Sequence, residues 1–291
     1  LFGLTGQGNS AFNVLLRHPI FNLVGVFTRK KFDAPYPYYL RKQLNQIVEE
    51  NRIPIFENFV LREGNTIKKI IDLNPDLIVV SGFNQIIPSQ IFTIPRLGVL
   101  GIHPSLLPKY RGADPIIQAL LNGESETGVT VYYIESELVD RGKIVLQEKI
   151  KINSTDTGGL LRKKLDQLSE KVLKDALVLA LERDKNSYAD QDEKNASYFP
   201  KLKPETWEFT LNQPIQKILK SLFSFDKFVR KSLVFFMILE LNPPHKPLSE
   251  VATTTKVILP FSGWPTSNFG CIFLSMTPLL RLLIIFDIPD E

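Results

Sequence analysis

Short apolar runs alternate with amphipathic stretches through the first half of the chain. Runs such as "DLIVVSG" and "LGVLGIH" are typical of strands that are buried on both faces. Between them, stretches such as "NTIKKIIDLNP" repeat apolar residues at helical spacing. This alternation predicts an α/β fold with a mostly parallel sheet covered by helices. The first strand is "LFGLTG", and Ser10 is the predicted N-cap of the helix that follows, "SAFNVLLRHP".

The same pattern divides the chain into three parts. Residues 1–182 carry the strands and helices, and they end with a long helix whose apolar stripe includes Leu161 and Leu165. Residues 183–208 are polar and predict a linker. Residues 209–291 follow no clear period, so we predict a poorly defined C-terminal region, interpreted as a degenerate second domain. A frameshift is our hypothesis for it, because "FFMILEL" can be encoded so that another frame gives a more strand-like sequence.

Composition limits the class of protein. Charged residues make up 23% and hydrophobic residues 44%, as in ordinary globular domains, and a net charge of +4 is compatible with RNA or a phosphorylated substrate. A single cysteine, Cys271, excludes an internal disulfide, and with only three histidines we predict no metal site and a cytoplasmic protein. The apolar run 271–286 contains Pro278 and Arg281 and is too short for a membrane span. The chain begins at Leu1 rather than Met, so we expect N-terminal residues to be missing; the oligomeric state stays open.

The stretch "GIHPSLLPKYRGADP", residues 101–115, is the first candidate for chemistry. His103 lies where an apolar strand ends, and ligands of parallel sheets bind at the carboxyl ends of strands. Asp140 lies in the loop "VDRGKI" between two later strands. Taken alone, the two residues are equally compatible with a core histidine and a turn aspartate. If the fold joins them, they form a proton shuttle suited to neutral pH.

The first loop, "GLTGQGNSA", is the second candidate. It departs from the G-x-G-x-x-G fingerprint, because Gly6 and Gly8 are followed by Ser10 and Ala11. A dinucleotide site is therefore disfavoured, although a dinucleotide-binding domain stays a rival interpretation. A small phosphate at the N-terminus of the following helix also stays open.

Together, the ordered motifs resemble one family. His-x-Ser-Leu-Leu-Pro, Arg-Gly, Thr-Gly-Val-Thr and Asp-x-Gly follow each other as in the 10-formyltetrahydrofolate-dependent formyltransferases, over roughly residues 1–220. The resemblance implies a Rossmann-like domain that transfers a formyl group from 10-formyltetrahydrofolate, the co-substrate, to a primary amine. Its first implied acceptor is the amino group of methionyl-tRNA, so the partner is initiator tRNA. The alternatives are an amino-sugar nucleotide, which the Gly-x-His-Pro sequence favours, and a non-catalytic folate-binding remnant.

The resemblance also implies roles for individual residues. His103 and Asp140 match the catalytic histidine and aspartate, whereas Gly101 stands where the family has asparagine. Losing one oxyanion donor typically costs about 10²–10³ in rate. The implied folate contacts are Gln85, Ile86, Ile87, Pro88 and Val139. The implied substrate contacts are Ser105, Leu106, Leu107, Pro108, Arg111, Gly8, Asn9 and Ser10.

Overall fold

A computed structural model describes residues 1–30 and 41–202 in full and, beyond them, the backbone of four strands. The helices of these residues are α1 (Gln7–Arg17), α2 (Leu44–Glu50), α3 (Gly64–Asp72), α4 (Ser89–Phe92), α5 (Pro115–Asn122) and α6 (Gly158–Glu182). The strands before α6 are β1 (Phe2–Gly3), β2 (Val26–Phe27), β3 (Ile55–Phe56), β4 (Ile78–Ser81), β5 (Val99–His103), β6 (Arg111–Gly112), β7 (Glu126–Tyr133) and β8 (Ile144–Lys151). After α6 come β9 (Tyr198–Phe199), β10 (Glu208–Thr210), β11 (Lys256–Ile258), β12 (Phe269–Ser275) and β13 (Arg281–Asp287).

A mixed sheet forms the centre of residues 1–182. Among the described strands its order is β3-β2-β1-β4-β5-β7-β8. The strands from β3 to β5 pair in parallel, whereas β7 and β8 are antiparallel to their neighbours. The prediction of an α/β fold with a mostly parallel sheet is therefore confirmed.

Side chains alternate between the two faces of this sheet, and each face has its own core. On one face, Leu100 and Val131 belong to a cluster with buried residues of α1 and α6. Leu161, Leu165 and Val172 of α6 are fully buried there. Burying each such side chain contributes about 1.5–3 kcal/mol. On the opposite face, a second cluster is made of buried side chains from β1, β2, β4, β5, α3 and α4.

The helix ends follow from local sequence. Thr157 caps α6, since its hydroxyl oxygen accepts a hydrogen bond from the backbone N–H of Leu160. Helix α5 begins with Pro115 at its first position and ends at Gly123, which has a positive φ of 68°. The predicted cap of α1 is wrong: the helix begins at Gln7 with Gly6 as N-cap, so Ser10 lies inside it.

Residues 183–202, which the sequence assigned to a linker, run back along the domain. They contain two 3-10 turns, Lys185–Ser187 and Glu193–Asn195, followed by β9. Strand β9 pairs in parallel with β6, directly after the segment that contains His103.

Beyond residue 202, β10, β11, β12 and β13 form an antiparallel sheet in that order. The predicted frameshift position, within 235–241, lies outside the described residues, and the domain boundaries stay predictions. Over the part of the chain that the structure describes, no helix is both long and apolar enough to cross a membrane.

Candidate active site

His103 and Asp140 are brought together by the sheet. His103 is the last residue of β5. Asp140 lies in the loop that joins β7 to β8, and β7 is the neighbour of β5 in the sheet. The distance between His103 Nδ1 and Asp140 Oδ2 is 3.5 Å, and both side chains are largely buried. Asp140 has a positive φ of 53°, a conformation that is uncommon for a residue other than glycine and that clusters at functional sites.

The imidazole of His103 lies between two hydrogen-bond acceptors. Its Nε2 lies 2.7 Å from the carbonyl oxygen of Tyr110, while Nδ1 faces the carboxylate of Asp140. With a proton on each nitrogen the ring donates to both neighbours, and with a single proton it donates to one. This arrangement fits a residue that takes up and releases a proton.

The carboxylate of Asp140 is held at both oxygens. Oδ2 accepts a hydrogen bond of 2.7 Å from the backbone N–H of Gly112, and Oδ1 accepts one of 2.7 Å from the Tyr132 hydroxyl. Burial, reinforced by the negative charge of Asp140, raises the pKa of Tyr132 well above its usual range. Tyr132 therefore stays a hydrogen-bond donor at any physiological pH.

Gly101 lies two residues before His103, on the same face of β5, and it is covered by Tyr132. A Cβ atom built at Gly101 would lie 2.7 Å from two ring carbons of Tyr132 and 2.9 Å from its hydroxyl oxygen. The volume next to the glycine is thus filled by a side chain from the neighbouring strand. Sequence reasoning missed Tyr132, although it lies on the predicted strand "TGVTVYYIES", directly before the loop that carries Asp140.

The loop after His103 is fixed by its own hydrogen bonds. The Ser105 hydroxyl donates to the carbonyl oxygen of Lys109, and the Leu107 N–H donates to the Thr130 hydroxyl. Gln147 donates to the carbonyl oxygen of Leu107, which lies before a cis peptide bond to Pro108. The side chains of Ser105 and Leu107 are buried, whereas Leu106 and Pro108 are half-buried. Their predicted contacts with a substrate stay predictions.

Arg111, a predicted substrate contact, lies in a buried ion pair. Its side chain is 2% exposed, and its guanidinium binds Gln191 Oε1 and both carboxylate oxygens of Glu193. The buried guanidinium thus has internal partners, and its predicted contact with a substrate stays a prediction. The Arg111 hydrogen bonds also lower the pKa of Glu193.

Gln191 connects Arg111 to the loop that carries Asp140. Its amide nitrogen donates to the carbonyl oxygens of Asp140, at 3.0 Å, and of Gly142, at 2.8 Å. Farther along, Ser197 accepts hydrogen bonds from the backbone N–H groups of Tyr110 and Arg111. We call residues 191–199 the clamp segment, because they hold both loops of the His103–Asp140 pair.

Two loops beside the pair carry the predicted folate contacts. Ile86 and Val139 are exposed, and so is Leu138, which is 59% exposed. The loops are joined by Glu137, whose carboxylate accepts a hydrogen bond from the Ser89 N–H. Exposed apolar side chains of this kind fit the flat ring of a folate.

The other residues of the first loop differ in exposure. Gln85 is half-buried and Pro88 is buried as the N-cap of α4. The Ile87 side chain is 4% exposed and belongs to the hydrophobic core, and the predicted contact of this residue with a folate stays a prediction.

Gly8, Asn9 and Ser10 are all buried in or beside the first turn of α1. The Asn9 side chain accepts a hydrogen bond from the Gly6 N–H and donates to the carbonyl oxygen of Lys42. The Asn9 side chain thus has internal partners, and the contact of Gly8, Asn9 and Ser10 with a substrate stays a prediction. Within the described residues, no group of acidic, histidine or cysteine side chains is placed to hold a metal ion.

Comparison with known proteins defines the class. The family described as "Formyl transferase" matches residues 18–177, which is more than half of the chain. The chain therefore belongs to the formyl transferase family.

Particular relatives can be named. The chain is similar to the methionyl-tRNA formyltransferases of Kosmotoga olearia, with 38% identity over 192 residues, and of Alkaliphilus oremlandii, with 36% over 183 residues. These alignments cover 64% and 62% of this chain but only 59% and 58% of the relatives. The chain thus spans about three fifths of the length of these curated relatives.

A solved structure has a similar fold. It is the N-formyltransferase of Helicobacter canadensis in complex with folinic acid and dTDP-3-aminofucose, with a TM-score of 0.60 and 20% identity. The match covers 98% of this chain and 97% of that one. The predicted Rossmann-like formyltransferase fold is confirmed.

Proposed function

We propose that this protein transfers a formyl group from 10-formyltetrahydrofolate to the amino group of methionyl-tRNA. The observation that carries the proposal is the His103–Asp140 pair, 3.5 Å apart at the carboxyl end of β5, in a chain of the formyl transferase family. This acceptor implies a cytoplasmic reaction with initiator tRNA as the partner.

The bound folate supplies the formyl carbon, and the chain handles the protons. Formyl transfer removes a proton from the attacking amine and delivers one to the departing folate nitrogen. We assign this proton transfer to His103, the histidine at the carboxyl end of β5, whose ring nitrogens face the Tyr110 carbonyl oxygen and the Asp140 carboxylate. Asp140, 3.5 Å from Nδ1, orients the ring.

Negative charge develops on the formyl oxygen during the transfer, and Gly101 has no side chain to stabilise it. Removing one such donor typically lowers kcat by about 10²–10³. Since Tyr132 already fills the space beside Gly101, an asparagine has no room there. His103, two residues after Gly101, is then the nearest residue along the chain whose side chain can donate a hydrogen bond. Because the amide donor is missing, we expect slow turnover.

The folate is expected between the loops that contain Ile86 and Val139. Both side chains are exposed and apolar, as a pterin ring requires, and their loops are tied together by the bond between Ser89 and Glu137. Half-buried Gln85 adds a polar group for the edge of the ring.

Methionyl-tRNA is the first acceptor because relatives at 36–38% identity carry that name. An amino-sugar nucleotide is the second candidate, since the Helicobacter canadensis protein of similar fold is described in complex with dTDP-3-aminofucose. At 20% identity that likeness supports the fold alone, so methionyl-tRNA stays the first acceptor to test.

The test is release of tetrahydrofolate from 10-formyltetrahydrofolate in the presence of charged initiator tRNA or of dTDP-amino sugars. We expect turnover with the tRNA that His103→Asn reduces by about 10²-fold or more, as the loss of a general acid–base does. His18→Asn is the matched control, because His18 is equally buried but packs on Phe21, in the loop after α1.

Each alternative has its own outcome. Turnover with the sugar nucleotide alone would replace the acceptor and keep the chemistry. Folate binding without turnover on either acceptor would identify a non-catalytic folate-binding protein. Turnover that survives His103→Asn would refute the role of His103.

A further inference from the structure

Four residues of two neighbouring strands share one face of the sheet at the site. Strands β5 and β7 pair so that Gly101 is opposite Tyr132 and His103 is opposite Thr130. Directly opposed side chains in an antiparallel pair have Cβ atoms about 4.5–5.5 Å apart. A large aromatic side chain opposite a glycine therefore leans over it, and Tyr132 does so.

An irregularity in the next pairing helps to aim this side chain. The register between β7 and β8 shifts between Val131 and Tyr132, as in a β-bulge. Bulges bend a strand locally and re-aim its side chains, and they are common next to active sites. The ring of Tyr132 thus lies over Gly101 with its hydroxyl directed at the Asp140 loop.

The hydroxyl completes the fixation of Asp140. Oδ2 is shared between the Gly112 N–H and His103, so Oδ1 is the oxygen left for a further donor, and Tyr132 supplies it. A carboxylate held at both oxygens cannot rotate away from the imidazole. Because Tyr132 is only 6% exposed, water does not readily replace this bond.

We propose that Tyr132 is a positioning residue of the formyl-transfer site and that it forms a coupled pair with Gly101. The glycine makes room for the phenol, and the phenol holds the Asp140 carboxylate against His103. In this chain a tyrosine from β7 therefore occupies the volume that would belong to a side chain at position 101. The expected effect of Tyr132 on turnover rests on the proposed function, whereas its packing on Gly101 and its hydrogen bond to Asp140 do not.

The first experiment compares Tyr132→Phe with Tyr133→Phe. Both changes remove one hydroxyl from adjacent buried tyrosines, but Tyr133 lies on the opposite face, against Tyr188. We expect Tyr132→Phe to lower kcat about 10-fold with KM for both substrates unchanged, since the lost bond goes to a charged group. Tyr133→Phe should leave kcat as in the wild type.

Nuclear magnetic resonance of the imidazole nitrogens gives a readout that needs no turnover. The chain has three histidines, so the His103 signals can be assigned with the His103→Asn variant. Tyr132→Phe should shift the His103 signals, because Asp140 loses its fixed orientation, and Tyr133→Phe should not. Unchanged His103 signals in Tyr132→Phe would overturn the positioning role.

A stability cycle tests the coupling. Gly101→Ala adds only the Cβ atom that would overlap the Tyr132 ring, and such overpacking should lower Tm by about 5 °C. In a Tyr132→Val background the same change should cost much less, because the ring atoms are gone. Equal shifts in both backgrounds would refute the pair.

The two proposals fail separately. If the wild type turns over no acceptor, the proposed function fails, and the His103 signals and the stability cycle still decide the role of Tyr132. If the wild type is active and Tyr132→Phe matches it, the positioning role alone is refuted.

Discussion

Replacing Gln191 with methionine removes four hydrogen bonds while keeping the length of the side chain. Two of them come from Arg111, at 2.7 and 3.1 Å, and two go to the carbonyl oxygens of Asp140 and Gly142. A hydrogen bond contributes about 1 kcal/mol net. Because Gln191 is half-buried and water can restore part of the loss, we expect the free energy of unfolding to fall by about 3 kcal/mol.

The expected consequences are measurable in stability and in turnover. For a domain of this size 1 kcal/mol corresponds to roughly 3 °C, so Tm should fall by about 9 °C. Turnover should also fall, because Asp140 keeps its positive φ only while its loop is held. Thermal unfolding followed by circular dichroism, together with kcat, provides the assay.

Lys194→Met is the matched control for this change. Lys194 is an exposed residue of the same clamp segment, and its replacement should stay within about 0.5 kcal/mol of the wild type. If Gln191→Met behaves like Lys194→Met in both stability and turnover, the clamp segment does not hold the site, and the reasoning is wrong.

Three further changes test other contacts. Glu193→Gln should lower Tm at pH 7, and this difference should shrink as the pH falls below the ordinary pKa of glutamate and vanish below the lowered pKa that the Arg111 hydrogen bond gives Glu193; a pH series of Tm checks this. Gly128→Ala should strongly destabilise the β7–β8 pair, because its Cβ would lie 2.2 Å from the carbonyl oxygen of Glu148; the soluble yield and Tm report it. Leu165→Ala should cost about 2–5 kcal/mol in urea unfolding, since Leu165 is fully buried in the α6 core.

The strands and the histidine could be predicted because each depends on local sequence. Ile78–Ser81 and Val99–His103 are short apolar runs bounded by turn residues, so their type and ends follow from the pattern. Once the sheet is parallel, the end of β5 must lie at the ligand-binding edge. The placement of His103 beside Asp140 needs only that β7 lies next to β5.

The supporting contacts could not be predicted because they join distant parts of the chain. Arg111 follows a loop with two prolines and one lysine, and only a partner about eighty residues away makes it a buried residue. Gln191 lies in a polar stretch without periodicity, where nothing in the sequence distinguishes it from a solvated linker residue. Tyr132 depends on the register of an antiparallel pair, which is set by the fold and by a bulge.

The clamp segment also bears on how the protein matures. The bonds from Tyr110 to Ser197, from Arg111 to Glu193 and from Asp140 to Gln191 span 87, 82 and 51 residues. Contacts of such long range form late, because their loops must close first. During synthesis the sheet and its His103–Asp140 pair leave the ribosome well before residues 191–199. A nascent chain therefore carries the side chains of both His103 and Asp140 for some time before strand β9 of the clamp segment can form and fix their geometry.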